Sequence, residues 1–241
     1  MIKTFTGYHL APGITPADHD AWFSTSYAPA CLANPHLDEL VFNTVRGTVR
    51  GEQTYYGIEE RHFANAAALD AFQGEYGKDG SFASRAQNHR LTAFSVRTDV
   101  VNVDRTNVDE MIRSPAARVA TRIRQPREKS VLGYDIVSTM PVEDYEAWLW
   151  DIHSPDLLIN PYLERIVFNT VTGTVGGDET FFRISELHIK NESSHAAWAK
   201  WHDENPVSVD RSPLGKTDFR FYVLVSVDDI RPDSSTAATK V

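Results

Sequence analysis

The chain has one cysteine, Cys31, and three methionines in 241 residues. A single cysteine excludes an internal disulfide and a thiolate metal cluster, and it suits a reducing compartment. Cys31 reads as a small buried apolar residue, because its counterpart in the repeat described below is a leucine. No apolar run is long enough to cross a bilayer, and the start, Met1-Ile2-Lys3-Thr4-Phe5, lacks the apolar stretch of a secretory signal. The expectation is a cytoplasmic protein that does not engage a membrane. Lysine and arginine number 24 against 33 aspartates and glutamates, a net charge of −9, with no basic run. That balance argues against a nucleic-acid partner, whose phosphates require clustered cations. GxGxxG, Walker A, GxSxG, HxH and HExxH patterns are all missing, so nucleotide, nicotinamide and serine-hydrolase chemistry lose their usual signals. The nine histidines show no metal-ligand spacing, and neither metal nor cofactor is expected.

What the chain does contain is itself, twice. Leu37-Asp38-Glu39-Leu40-Val41-Phe42-Asn43-Thr44-Val45 recurs as Leu163-Glu164-Arg165-Ile166-Val167-Phe168-Asn169-Thr170-Val171, an offset of 126. The same ungapped register matches Gly7-Tyr8 to Gly133-Tyr134, Ala21-Trp22 to Ala147-Trp148, and Ile58, Glu60 and His62 to Ile184, Glu186 and His188. Residues 7–77 share 25 identities with residues 133–203, too many for chance at fixed register. Two copies at this period are tandem domains and not a solenoid, whose repeats are shorter.

Each copy reads strand, helix, strand, strand, helix, strand. In the first, Lys3 to Leu10 is a strand, and Thr15-Pro16-Ala17-Asp18 supplies an N-cap, a first-turn proline and an early acid for a helix toward Tyr27. Leu40 to Val45 and Thr54 to Phe63 form a hairpin, Asn65 to Tyr76 a helix, and Leu91 to Val96 the last strand. The second copy repeats this order, with strands Val131 to Val137, Ile166 to Val171, Thr180 to Ile189 and Phe219 to Val227, and helices Val142 to His153 and Ser193 to His202. The order βαββαβ is the ferredoxin-like unit, an antiparallel sheet with helices on one face. The fold class predicted is α+β: two ferredoxin-like repeats, residues 1–97 and 131–230, packed sheet to sheet as an intramolecular α+β barrel around a central cavity. Residues 98–130 read as a polar connector, helical in pattern near Asp109 to Arg122, and residues 231–241 as a flexible tail.

In the second copy, Trp148-Leu149-Trp150-Asp151-Ile152-His153-Ser154-Pro155, then Asn160-Pro161-Tyr162-Leu163-Glu164-Arg165-Ile166-Val167-Phe168-Asn169, and later Ile184-Ser185-Glu186-Leu187-His188-Ile189, resemble the EthD family of dimeric α+β barrels. The first copy carries the pattern more weakly, with Tyr27 in place of His153. The resemblance implies a barrel superfamily that includes muconolactone isomerases, polyketide cyclases, decarboxylases and cofactor-free oxygenases. It also implies a role near the cavity for His153. Haem-binding relatives occur among such barrels, but no axial-ligand motif is present here. Family isomerases often start strand two with a tyrosine, where this chain has Leu40 and Ile166.

Alternation on the third strand of copy two turns Leu187 and Ile189 toward the helices and Ile184, Glu186 and His188 into the barrel, with Glu60 and His62 following by the repeat. A glutamate two residues from a histidine on one strand face orients the imidazole and raises its basicity, as a general base requires; a buried hydrogen-bond network is the structural alternative. The catalytic candidates are therefore His153, His188, Glu186, His62 and Glu60. The substrate-binding candidates are Asn43, Asn169, Tyr8, Tyr134, Tyr27 and Trp148. Asn43 and Asn169 would donate to a ligand carbonyl or bond to a turn, and Trp148 fits a core position as well as a ligand stacker.

The expected function is a cofactor-independent isomerase or lyase that moves a proton on a small cyclic, aromatic-derived or lactone substrate. The alternatives are a cofactor-free monooxygenase on a polycyclic phenol and a non-catalytic binding or accessory protein. A fused barrel closes without a second chain, so a homodimer would form through strand edges or barrel ends.

Overall fold

The computed structural model describes the chain apart from residues 52–53, 79–85, 105–106, 108, 110–112, 114–124, 191–192, 207, 209 and 231–241. The tail and nearly all of the helical pattern expected between Asp109 and Arg122 lie outside the described residues.

The first repeat runs β1 (Ile2–Leu10), α1 (Pro16–Trp22), α2 (Ala28–Leu32), β2 (Glu39–Gly51), β3 (Gly57–Phe63), α3 (Ala66–Lys78) and β4 (Arg90–Asp104). The second runs β5 (Glu128–Ile136), α4 (Val142–Trp148), α5 (Ser154–Ile159), β6 (Leu163–Gly177), β7 (Arg183–Ile189), α6 (His195–Glu204) and β8 (Thr217–Ile230). The predicted βαββαβ order holds in both. Residues 98–104, expected in the connector, are strand, because β4 continues to Asp104 to pair with β6.

The eight strands close into one barrel in the order β1-β3-β2-β8-β5-β7-β6-β4, every neighbouring pair antiparallel. The two repeats are stitched by β2 with β8, from Leu40 opposite Ile230 to Gly51 opposite Phe221, and by β4 with β6. Closure leaves an edge where β2 runs past its pairing with β3, which ends at Thr44, and where β6 runs past its pairing with β7, which ends at Thr170.

Thr15 caps α1 as its sequence predicts: its Oγ1 accepts from the Asp18 amide, and Asp18 Oδ2 accepts from the Thr15 amide. Both first helices then widen into a π turn, Phe23–Tyr27 and Leu149–His153, immediately before the helices that carry Pro29 and Pro155. Proline has no N–H and its ring crowds the preceding turn, so the ladder shifts to i→i+5, with the Ala28 and Ser154 amides donating to Phe23 and Leu149. The wide turn sets Tyr27 and His153 at equivalent places between helix and sheet.

The central cavity expected inside the barrel is filled by side chains. At one level the rings of Tyr55, Phe94, Phe181 and Phe221 pack edge to face and stacked at 5.0–5.7 Å. Phe94 and Phe221 lie over Gly7 and Gly133, where a Cβ would sit 2.1 Å from each ring. Two further cores lie between sheet and helices, one in each repeat.

Candidate functional site

The alternation reading is correct for β7: Ile184 packs in the barrel core, and Leu187 and Ile189 pack in the core under the helices. Glu60, Glu186, His62 and His188 therefore point inward, and all four are buried. They meet two lysines there. Lys3 Nζ donates to Glu60 Oε2 (3.0 Å) and Glu186 Oε1 (2.6 Å), while Lys129 Nζ donates to Glu186 Oε2 (2.6 Å) and Glu60 Oε1. The result is a charge-balanced ring of two lysines and two glutamates with no solvent exposure. Burial and the facing Glu186 push the Glu60 carboxyl up, but the two ammonium groups outweigh both and hold it below the usual carboxylate range. Glu186 is likewise held low by Lys129 and Lys3 against its burial.

The flanking groups serve this ring. Asn43 Nδ2 donates to Glu60 Oε1 (2.8 Å) and to the Ile58 carbonyl (2.8 Å), and Asn169 Nδ2 donates to Glu186 Oε1 (3.0 Å). Both amide hydrogens of Asn43, and one of Asn169, are thus committed to protein acceptors instead of a ligand carbonyl. His62 bridges Glu39 Oε2 (2.7 Å) and Glu60 Oε2 (3.2 Å). Among the described residues His188 reaches only Glu186 Oε2 (3.1 Å), since the place of Glu39 is taken by Arg165, and burial pushes its imidazole down. The two large cavities described below do not reach this layer. The Glu/His pairs therefore form the buried network weighed as the structural alternative. The lysines were missed in the sequence although Lys3 and Lys129 obey the offset of 126. They lie four residues before the compared window.

The cavity suited to a ligand lies elsewhere, between sheet and helices of the second repeat. It has a volume of about 270 Å³ and an apolar wall that includes Leu132, Leu149, Ile166, Phe168, Leu187 and Phe219. This is at the small end of small-molecule sites. It suits a molecule of one or two rings and is too small for a porphyrin. Polar side chains also line it, among them His153, Tyr134, Tyr145 and Ser185, together with the charged Arg50, Asp156 and Arg211. Arg50 comes from the first repeat, carried there by the β2–β8 pairing opposite Tyr222, and its guanidinium lies 5.7 Å from the Phe219 ring centre.

His153 is the distinctive group. Its ring stacks on Trp148 at 4.5 Å and 20°, and Trp148 is itself anchored by its Nε1 donating to the Asp210 carbonyl (2.9 Å). His153 Nδ1 lies 3.2 Å from the Arg211 carbonyl oxygen. A carbonyl only accepts, so Nδ1 carries the proton and Nε2 keeps its lone pair. Burial pushes the imidazole down to about 4, leaving it neutral near pH 7. Tyr134 shares a hydrogen bond with Ser185 (3.1 Å), and burial raises the Tyr145 phenol well above its usual value, which keeps it a donor.

The first repeat shows why the cavity is one-sided. Tyr27 stands for His153, Glu59 for Ser185, Arg61 for Leu187 and, by strand register, Arg90 for Thr217. Arg61 Nε and Arg90 Nη1 grip the two oxygens of Glu59 (2.6 and 2.8 Å). The Tyr27 hydroxyl donates to Glu59 (3.0 Å) and accepts from both arginines. Tyr8 is buried beneath Arg90, whose guanidinium lies 4.9 Å from its ring centre. Tyr8 and Tyr27 thus belong to an ionic plug. Among the residues expected to touch substrate, the structure brings Tyr134 and His153 to the cavity, with Trp148 behind His153.

No protein-family model matches the chain, and no curated protein matches it. Solved structures do share its fold over nearly its whole length. An anthrone oxidase-like protein superposes with a TM-score of 0.59 at 12% identity, covering 95% of this chain and 92% of its own. A candidate monooxygenase from Fusobacterium nucleatum gives 0.56 at 8%, covering 95% and 94%. A mutant chlorite dismutase from Candidatus Nitrospira defluvii gives 0.53 at 10%, covering 94% and 91%. At such identities the likeness is one of fold: a two-repeat, ferredoxin-like α+β barrel in a single chain. These structures are described as anthrone oxidase-like, chlorite dismutase and monooxygenase proteins, and the likeness does not show membership of the EthD family. Among the described residues no helix is long and apolar enough to cross a membrane.

Proposed function

We propose that the second-repeat cavity binds a small cyclic molecule with a weakly acidic C–H or phenolic O–H, and that His153 Nε2 removes that proton. The observation that carries this reading is a neutral imidazole with a fixed tautomer on the wall of a cavity whose surface is mostly apolar. A base that is fully deprotonated near pH 7 accepts a proton efficiently when the imidazolium forms beside the anion it creates, because the pair is attractive in a dry site. Hydroxyls on the same wall, Tyr134 and Tyr145, would donate to the developing enolate or phenolate oxygen.

Two fates of the anion follow. Reprotonation at another carbon or loss of a leaving group makes an isomerase or lyase, the outcome suggested by the EthD-like sequence pattern. Reaction with dioxygen makes a cofactor-free monooxygenase, a reading supported by the anthrone oxidase-like and monooxygenase-type proteins of the same fold.

The test is to incubate the protein with a panel of anthrones, small phenols and lactones. Proton exchange into D₂O is followed by NMR, and dioxygen consumption by electrode. The wild type should accelerate exchange or turnover, and His153→Ala should lose about 10²- to 10⁴-fold while keeping its circular dichroism spectrum. Dioxygen uptake selects the monooxygenase, and product without uptake the isomerase or lyase. Full activity in His153→Ala would refute the assignment.

A further inference from the structure

We propose that the first repeat holds a second ligand site, one that takes a small organic anion, a carboxylate or phosphate carried on an apolar body. A cavity of about 590 Å³ lies beside α3, and its wall joins Arg61 and Arg97 with the hydroxyls of Thr4, Ser95 and Thr172 and the ring of Phe72. Among the described residues no carboxylate lines it, in a chain where acids outnumber bases 33 to 24. Thr172 belongs to β6, so the second repeat contributes to this wall just as Arg50 of the first repeat contributes to the other.

The two arginines differ in state. Arg61 is fixed by Glu59 (2.6 Å), and its guanidinium lies 5.4 Å from the Phe72 ring centre. Arg97 is the group that calls for a ligand: it lines the cavity, its Nε is unbonded, and among the described residues its guanidinium has no carboxylate partner. A guanidinium without a carboxylate partner on a cavity wall can receive an incoming anion at its Nη end with charge-assisted bonds. Ser95 is held by Thr6 (2.9 Å), so a hydroxyl stands ready on the same wall.

The repeat explains the divergence. Arg61 aligns with Leu187, and Ser95, paired with Thr6, aligns by strand register with Tyr222, paired with Leu132. Leu187 and Tyr222 both line the second-repeat cavity. The same two places on the sheet thus carry a leucine and a tyrosine in one half and an arginine and a serine in the other, so only the first half gains a cation there. The two halves are therefore built for different chemistry.

The experiment measures binding of benzoate, phenyl phosphate and the neutral analogue benzamide to the full chain by calorimetry. Benzoate or phenyl phosphate should bind one to one and weaken with added salt, and benzamide should bind at least about tenfold more weakly. The stronger of the two acids identifies the anion as carboxylate or phosphate. Arg97→Gln should lose about tenfold or more of the acid's affinity, and Arg97→Lys, which keeps the charge without the planar fork, should lose less. If Arg97→Gln lowers the thermal midpoint, the comparison is made with Arg97→Lys alone. The proposal is overturned if benzamide binds as well as the acids, if the Arg97 variants bind acids unchanged, or if neither acid binds at millimolar concentration.

Discussion

Replacing Lys3 by methionine tests whether the charged layer inside the barrel is structural. The substitution keeps side-chain length and removes one cation from a ring of two lysines and two glutamates that has no solvent exposure. Glu60 and Glu186 are then left to share Lys129, with one uncompensated negative charge in the interior. Breaking a buried ion pair by removing one partner costs about 3–5 kcal/mol. For a chain of this length each kcal/mol moves the thermal midpoint by about 2–4 °C, so the expected fall is roughly 6–20 °C. Urea unfolding followed by circular dichroism and tryptophan fluorescence supplies the free energy, with the slope checking that the transition stays two-state. Lys129→Met should behave similarly, because the ring is nearly symmetric. The double variant Lys3→Met with Glu186→Gln restores charge balance and leaves the Lys129–Glu60 pair intact. Its loss should be smaller than the sum of the two single losses by about 1–3 kcal/mol. A loss below about 1 kcal/mol for Lys3→Met, or strict additivity in the double variant, would refute the reasoning.

Other consequences are equally direct. Glu59 is held at about 2 because Arg61 and Arg90 outweigh its burial, and Glu60 and Glu186 are also held low. Carboxyls depressed in the folded state contribute stability that is full above an unfolded value near 4.5 and is lost as the pH falls toward about 2, which acid titration of the unfolding free energy will show. Turnover that depends on neutral His153 should hold from pH 7 down to about 5 and drop below about 4, where the imidazole is protonated; a rate profile breaking near 6.5 would contradict this. Gly133→Ala places a Cβ 2.1 Å from the Phe221 ring and should cost about 1–3 kcal/mol in chemical denaturation. Burial pushes the Cys31 thiol up to about 12, so the folded protein should resist a thiolate-selective alkylating reagent that labels the urea-unfolded chain readily.

The repeat at offset 126 determined much by itself. It determined two βαββαβ units, their pseudo-twofold relation, and the inward set of Glu60, His62, Glu186 and His188, because side-chain direction on a strand follows from parity alone. It also drew attention to the exchange of Tyr27 for His153, the difference that separates the two halves. What parity could not say is what the inward residues meet. Lys3 and Glu186 are 183 residues apart in sequence, and only barrel closure brings them to 2.6 Å. That contact turns two apparent catalytic pairs into parts of a charge-balanced core. Tertiary structure also puts the proposed site on the helix side of the second repeat instead of the barrel centre, where small or apolar residues leave a cavity that Glu59, Arg61, Arg90 and Tyr27 fill in the first. Arg50 reaches that cavity only because β2 pairs with β8 across the repeats. A sequence period reports on equivalence between positions, whereas cavities and charge balance arise where non-equivalent side chains from distant strands meet. Those meetings are fixed by closure and register.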